Sequence, residues 1–307
     1  MLSYLIRRIA LAIPIIYGLI TLVFFLMHLL PGDAVSAMMT GFALSADEQQ
    51  KLRHELGLDQ PLLVQYGHYL VDVSRGDFGR SLFSHQRVSD QILHQLAATL
   101  QLAVASMVIA VPIGLVIGVL AATKEGSWVD HASMALSLFL VSVPSFWFGL
   151  VLIYLFSVKV DWLPAAGSGS ARQLILPALA LSAYPIAILA RLVRASMLDV
   201  LRQDFVVAAR SKGLREGRVI FHHAFRNALI PVVTVLGMQL GFAIGGAVIV
   251  ETVFARQGIG QLAVTGIQQR DMPLVQGVVI FVGIVIVLAN LGVDLIYAVL
   301  DPRIRYS

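Results

Sequence analysis

The sequence predicts an all-α membrane protein: six transmembrane helices, a long outer loop between the first two, and a helical inner loop before the fifth. Three observations carry this. The 307 residues are 58% hydrophobic and 13% charged, with a mean hydropathy of +0.84, whereas soluble domains are about 45–50% apolar and about 25% charged. The apolar residues gather into six segments near the ~20 residues a helix needs to cross the hydrocarbon core. The basic residues collect at segment ends, and eight of the 22 Lys and Arg lie between Arg191 and Pro231.

The six expected spans are 9–30, 100–121, 133–158, 174–192, 230–254 and 275–300. Pro14, Pro112, Pro144 and Pro185 fall within them; membrane helices tolerate proline where neighbours satisfy the freed carbonyls. Arg7, Arg8 and Val35-Ser36-Ala37 give the first segment some look of a signal peptide. Its apolar run exceeds the about 7–15 residues of a signal core, so it is expected to stay as a span. The chain then divides into 1–30 (the N-terminus and first span), 31–98 (an outer-loop subdomain) and 99–307 (a core with five spans and an inner loop at 196–229).

Orientation follows from Lys and Arg near span ends. With both termini cytoplasmic, the inner side holds Arg7, Arg8, Lys124, the eight of the basic island, Arg303 and Arg305; the short outer loops hold Lys159, Arg172, Arg256 and Arg270. The island carries only three acids, Asp199, Asp204 and Glu216. The pI of about 9.5 is therefore a membrane-topology signal, and lipid rather than nucleic acid is the expected surroundings. The outer loop 31–98 should be a small folded cap. Ser45-Ala46-Asp47-Glu48 has the form of a capping box, Pro61 opens a second helical piece, Gly76-Asp77-Phe78-Gly79 reads as a turn, and 86–98 leads amphipathically into span two.

Span two carries Gly114 and Gly118, and span five Gly237, Gly241 and Gly245. Small residues four apart let helices approach closely, either inside this chain or against a second one.

No catalytic constellation is present. The sequence lacks a Gly-x-x-x-x-Gly-Lys-[Ser/Thr] loop, a His-Glu-x-x-His pair and a Gly-x-Ser-x-Gly elbow, and it has no cysteine. His222 and His223 are adjacent, so on a helix they point about 100° apart and chelate poorly. No catalytic residue, metal site or cofactor is expected in this chain. Ionisable groups inside membranes mark function by default; here they are few. Asn290 and Asp294 share one face of the last span as a buried polar pair, and Glu251 closes span five near Arg256, Arg270 and Asp271, as an outer salt-bridge cluster or a gate. So little intramembrane charge, without an inverted repeat, indicates a conduit powered from elsewhere; a stand-alone channel or ion-coupled transporter is the alternative of another class.

The inner loop reads as two helices. Over 199–212, Leu198, Leu201, Phe205, Ala208 and Ala209 line one face. Arg210 and Lys212 occupy the last turn, where the helix dipole favours them, and Gly213 fits the position after the cap. A second helix is expected over 216–227, with Val219, Ile220 and Phe225 apolar, and Pro231 in the first turn of span five.

These residues resemble a known family. Asp204-Phe205, Ala208-Ala209-Arg210-Ser211-Lys212-Gly213-Leu214 and Arg226-Asn227-Ala228-Leu229-Ile230-Pro231 are similar to the inner loop of ABC-importer inner-membrane permeases, of the dipeptide/oligopeptide/nickel group. Further matches follow in order along almost the whole chain: Leu29-Leu30-Pro31-Gly32-Asp33, Leu56-Gly57-Leu58-Asp59-Gln60-Pro61-Leu62, Gly76-Asp77-Phe78-Gly79, Trp162-Leu163-Pro164, Gly258-Ile259-Gly260, Arg270-Asp271-Met272-Pro273 and Leu300-Asp301-Pro302-Arg303-Ile304-Arg305. The long first outer loop resembles the B-type member of the permease pair. The chain departs from the family's Glu-Ala-Ala pattern, with Val207 at the position of the Glu.

The resemblance implies a type I ABC importer permease fold in a bacterial inner membrane. It implies a second, C-type permease, two ATP-binding subunits that hold the ATP and Mg, and a periplasmic or lipid-anchored binding protein. Asp204, Phe205, Ala208, Ala209, Arg210, Lys212, Gly213 and Leu214 would face the ATPase, and Asp33, Glu251, Arg270 and Asp271 would form an outer gate or a binding-protein contact. The cargo implied is a di- or oligopeptide or glutathione, with nickel or a metal chelate as the alternative.

Overall fold

The computed structural model describes residues 2–29, 50–51, 54 and 59–300. Helices dominate, because backbone in a bilayer must satisfy its hydrogen bonds internally. Among the described residues, five helices are long and apolar enough to cross a membrane, and six spans result if one bent pair counts as a single crossing.

Helix α1 (Leu2–Leu29) is the first span. Of the outer cap, the expected capping box at 45–48 and Asp33 lie outside the described residues. Helix α2 (Leu62–Ser74) starts directly after Pro61, as expected, and rests on the outer end of α1. Tyr66 packs on Phe24 and Phe25, and its hydroxyl lies 2.7 Å from that of Thr21. At the expected turn, Gly76 and Gly79 have φ of +78° and +83°, and Asp77 Oδ1 accepts from the Gly79 N–H at 2.8 Å.

Helix α3 (Val88–Thr123) runs unbroken for 36 residues, about 54 Å at 1.5 Å per residue. It therefore joins the amphipathic outer run to span two as one rod. Helix α6 (Ala171–Leu201) lies along it. Gly114 and Gly118 are the reason: a Cβ on Gly114 would sit 2.7 Å from Leu189 Cβ, and one on Gly118 2.6 Å from Val193 Cβ. In span five, Gly241 and Gly245 meet Ala289 and Ile286 of the last span only at 3.8 and 4.0 Å, ordinary contact distances.

The expected third span, 133–158, is instead two pieces. Helix α4 (Trp128–Ser142) and helix α5 (Ser145–Leu152, continued by the wider turns Ile153–Lys159) meet at 104°. Pro144 disfavours helical backbone at the residue before it, and Val143 is extended at φ −86°, ψ 122°. The bend lays Gly149 against Phe254; a Cβ on Gly149 would lie 3.0 Å from that ring.

The inner loop also differs from expectation. Helix α6 continues to Leu201 and stops at Arg202, and a new helix, α7 (Asp204–Ser211), begins after Gln203. The expected 216–227 helix has no end before span five. The turn Glu216–Arg218, the π-helical Val219–Phe225 and helix α8 (Arg226–Val253) run on continuously. Pro231 thus lies inside α8, not in a first turn. Helix α9 (Ile259–Gln269) is an outer helix that the apolar pattern did not reveal, and α10 (Met272–Leu300) is the last span. One apolar core joins α3, α5, α6 and α8, and a second, below it, includes Val193, Met197, Val206, Ala209, Val219 and Ala224.

Candidate functional site

At the end of the bundle expected to be the inner one, α7 stands on two buried residues, Val206 and Ala209, with 0% and 7% of their surface accessible. Both belong to the lower core. Phe205 and Val207 are exposed, at 40% and 53%, as are Asp204, Ala208, Arg210, Lys212 and Gly213, while Leu214 is half-buried. Phe205 and Ala208, expected to face the ATPase, are on the open side, whereas Ala209, expected beside them, is buried in the lower core. The face that joined all three to Leu198 and Leu201 does not run through, because the helix breaks at Arg202–Gln203 and α7 starts afresh.

The turn after α7 forms as expected. Gly213 has φ +74°, its N–H donates to the Arg210 carbonyl at 2.9 Å, and the Leu214 N–H reaches the Ala209 carbonyl at 3.4 Å. A Cβ on Gly213 would meet nothing within 4 Å, so the backbone angle alone calls for glycine there. Arg210 Nη2 donates to Glu216 Oε1 at 2.7 Å across the turn, which raises the guanidinium pKa above its ordinary value. The segment is thus a firmly seated helix that shows an apolar and basic face to the outside.

Beneath it lies an anchor that the sequence reading did not single out. Arg194 Nε and Nη2 donate to Asp130 at 2.5 and 2.7 Å, and Asp130 also accepts from the Gly126 N–H at 3.1 Å. Its carboxylate is 2% exposed. Arg202 pairs with Glu125 at 2.7 Å beside it. These bonds tie the α3–α4 turn to the inner end of α6. Arg194 lay within the basic island, but nothing in the sequence paired it with a residue 64 positions earlier.

At the outer end, Glu251 and Asp271 are wholly buried. Glu251 accepts from the Thr99 hydroxyl at 2.7 Å, the Gly260 N–H at 2.8 Å and the Gln261 N–H at 3.4 Å. Asp271 accepts from the Ser81 hydroxyl at 2.5 Å and from the N–H groups of Leu82 and Leu274 at 3.1 and 3.3 Å. The expected salt-bridge cluster is therefore absent: among the described residues no ion pair joins these carboxylates to Arg256 or Arg270. Arg256, 2% exposed, donates to Gln101 at 2.8 Å, and Arg270 is exposed at the left-handed end of α9. The two carboxylates staple α3, α8, α9, α10 and the outer loop together. In the last span, Asn290 is exposed and not buried as expected; it lies near Gly241, whose added Cβ would be 3.9 Å from Asn290 Oδ1, and the Asp294 side chain is outside the described residues.

A bundle of about six spans, stapled on one face and offering a seated helix on the other, defines a membrane-embedded transport subunit. Residues 114–306 match the family described as binding-protein-dependent transport system inner membrane component, and residues 1–103 match its N-terminal counterpart. The chain belongs to this family, the inner-membrane permease components of ABC importers. It is 42% identical to the di/tripeptide transport system permease of Pseudomonas aeruginosa and 42% identical to the glutathione transport system permease of Escherichia coli K12, in each case over 100% of both chains. A putative peptide transport system permease of Brucella abortus is 43% identical, again over 100% of both. Among solved structures, the fold is shared with an inward-facing form of the MetNI methionine ABC transporter, at TM-score 0.58 and 19% identity over 69% of this chain and 96% of that one.

Proposed function

We propose that this chain forms half of the translocation pathway of an ATP-driven importer of small peptides. The observation that carries the cargo class is end-to-end similarity, at 42–43% identity, to permeases named for di/tripeptides, glutathione and peptides. A second permease completes the pathway, two ATP-binding subunits dock below, and an extracytoplasmic binding protein delivers the peptide. Both termini and the 196–229 loop face the cytoplasm, in keeping with the Lys and Arg distribution. Helix α7 and the Gly213 turn are the docking lever: Val206 and Ala209 root it in the core, so force on Phe205, Val207 and Ala208 passes to α6 and α8 rather than being lost in a loose loop.

Two measurements test this. The importer reconstituted with its partner subunits and binding protein should take up labelled dipeptide only with ATP; uptake of nickel but no peptide would overturn the cargo class. Replacing Gly213 with a bulky residue should abolish peptide-stimulated ATP hydrolysis while basal hydrolysis by the ATP-binding subunits persists. Full stimulation would overturn the docking assignment.

A further inference from the structure

At the end of the bundle that carries α7, a cavity of about 600 Å³ opens between the α3–α4 turn, the end of α6 and the turn after α7. That volume lies within the about 300–1,000 Å³ typical of small-ligand sites. Lys124 and Glu125 of the α3–α4 turn and Arg202 at the end of α6 line it, and Leu198, Leu201 and Ile220 add apolar surface. Arg210 and Glu216 border it from the α7 side.

The charged groups are reachable, and their bonding is incomplete. The Arg202 and Glu125 side chains are 71% and 49% exposed, and Lys124 is exposed too. Arg202 Nη2 donates to Glu125 Oε1 at 2.7 Å. Among the described residues, the other Arg202 nitrogens, the second Glu125 oxygen and the Lys124 ammonium have no partner. Arg210, by contrast, donates to both oxygens of Glu216, at 2.7 and 3.3 Å, so that pair is closed on itself. Two cationic donors and one carboxylate oxygen are left open. They match a ligand with an anionic phosphate and, close to it, a primary ammonium.

Depth in the bilayer selects the source of that ligand. The expected second span ends at Ala121. Lys124 lies three residues on, about 4.5 Å along the helix axis, inside the roughly 5–7 Å headgroup layer on each side of the ~30 Å hydrocarbon core. Trp128, 81% exposed, opens α4 beside it, at the level where tryptophan is enriched. We propose that this cavity binds the headgroup of a phosphoethanolamine lipid. Lys124 and Arg202 hold the phosphate, Glu125 accepts from the ammonium, and Leu198, Leu201 and Ile220 meet the first carbons of the lipid tails. One lipid then sits between the α3–α4 turn, itself fixed by Asp130 and Arg194, and the turn after α7. The inference needs only the chain's place in a membrane and does not depend on the cargo.

The test uses the assembled importer in detergent, titrated with one lipid at a time, with the first bound lipid followed by native mass spectrometry. The probes are dioleoyl phosphatidylethanolamine and dioleoyl phosphatidylcholine, whose headgroup keeps both charges but has no N–H to donate. Wild type should bind the ethanolamine lipid about fivefold more tightly, as expected for one hydrogen bond to a charged group at a partly open site. Glu125→Ala should bring the two affinities together. Lys124→Ala should weaken both by a similar factor, and Lys159→Ala, at the other end of the bundle, should change neither. The preference is a ratio within one protein, so a variant that assembles poorly is still read. Equal affinities in wild type, or a preference that survives Glu125→Ala, overturn the site. Dioleoyl phosphatidylglycerol binding as tightly as the ethanolamine lipid would make it a plain anion site and also overturns it. Soluble phosphoethanolamine or Ala-Ala displacing the lipid at equal concentration would make the ligand a free small molecule, and the lipid assignment fails.

Discussion

The two ends of the bundle handle their polar groups in opposite ways. At the outer end, Glu251 and Asp271 are wholly buried, and each carboxylate accepts three hydrogen bonds from neighbouring elements. At the inner end, one carboxylate, Asp130, is buried against Arg194, and above that anchor α7 leaves Asp204, Phe205, Ala208 and Arg210 open. Polar burial at the outer end fixes how the helices sit; at the inner end the same kind of anchor supports an open surface, the one proposed to meet the ATP-binding subunits. Substitutions should therefore act on stability at one end and on coupling at the other.

The largest effect is expected at Glu251. Replacing it with Leu leaves the Thr99 hydroxyl and the Gly260 and Gln261 N–H groups without their acceptor, and each unsatisfied buried group costs about 1–3 kcal/mol. Glu251→Leu should lose at least about 3 kcal/mol, read as a drop in melting temperature and in recovered complex, while Glu251→Gln, which keeps an acceptor, loses less. A Leu variant as stable as the parent would mean that the outer staple does not hold this end.

Next comes the α3–α6 seam. Gly118→Ala puts a methyl against Val193 and the Ala190 carbonyl, at 2.6 and 2.7 Å, and should cost about 1–3 kcal/mol through overpacking. Gly241→Ala meets Ala289 at 3.8 Å and should stay within about 0.5 kcal/mol of the parent. Parallel melts of the two variants check the contrast. Equal penalties would mean that the seam is no tighter than the α8–α10 contact.

Phe205→Ala brings the comparison to the inner end. With 40% of its surface open, Phe205 adds little to the fold, and the melting temperature should stay near that of the parent. As an aromatic anchor for another subunit, it should cost about 2 kcal/mol of docking, seen as weaker binding of the ATP-binding subunit and reduced peptide-stimulated hydrolysis. A large loss of melting temperature with normal stimulation would make Phe205 a core residue.

Much of this was legible in the sequence. The apolar segments were readable, five as single helices and one as a bent pair, because bilayer thickness acts on the linear chain. The Gly213 turn was readable because a left-handed residue after a basic helix end has a local signature. Three features were not readable. Pro14, Pro112 and Pro185 lie inside continuous helices while Pro144 breaks one, and what accompanies the break is the distant seat of Gly149 on Phe254. Ala209 was grouped with Phe205 and Ala208 on the ATPase-facing side yet is buried, because the break at Arg202–Gln203 ends one helix and α7 begins with its own phase. The outer carboxylates looked like one ionic cluster because Glu251, Arg256, Arg270 and Asp271 are close along the chain, yet their partners Thr99 and Ser81 lie 152 and 190 residues away from Glu251 and Asp271.

The smallest effect separates open charge from closed charge. Arg210 and Glu216 bridge the Gly213 turn, but their side chains are 44% and 55% exposed. Water already solvates both ends, and an exposed pair of this kind contributes about 0–1 kcal/mol. Glu216→Gln should therefore shift stability by less than about 0.5 kcal/mol, and the small shift should shrink further as salt screens the pair. The turn's shape comes from the Gly213 φ and its backbone bonds, which the substitution leaves intact, so peptide-stimulated hydrolysis should remain. Melting curves at low and high salt, beside the hydrolysis assay, check this. A loss comparable to that of Glu251→Leu would show that the inner end, too, is held by its carboxylates, and the contrast between the two faces would fail.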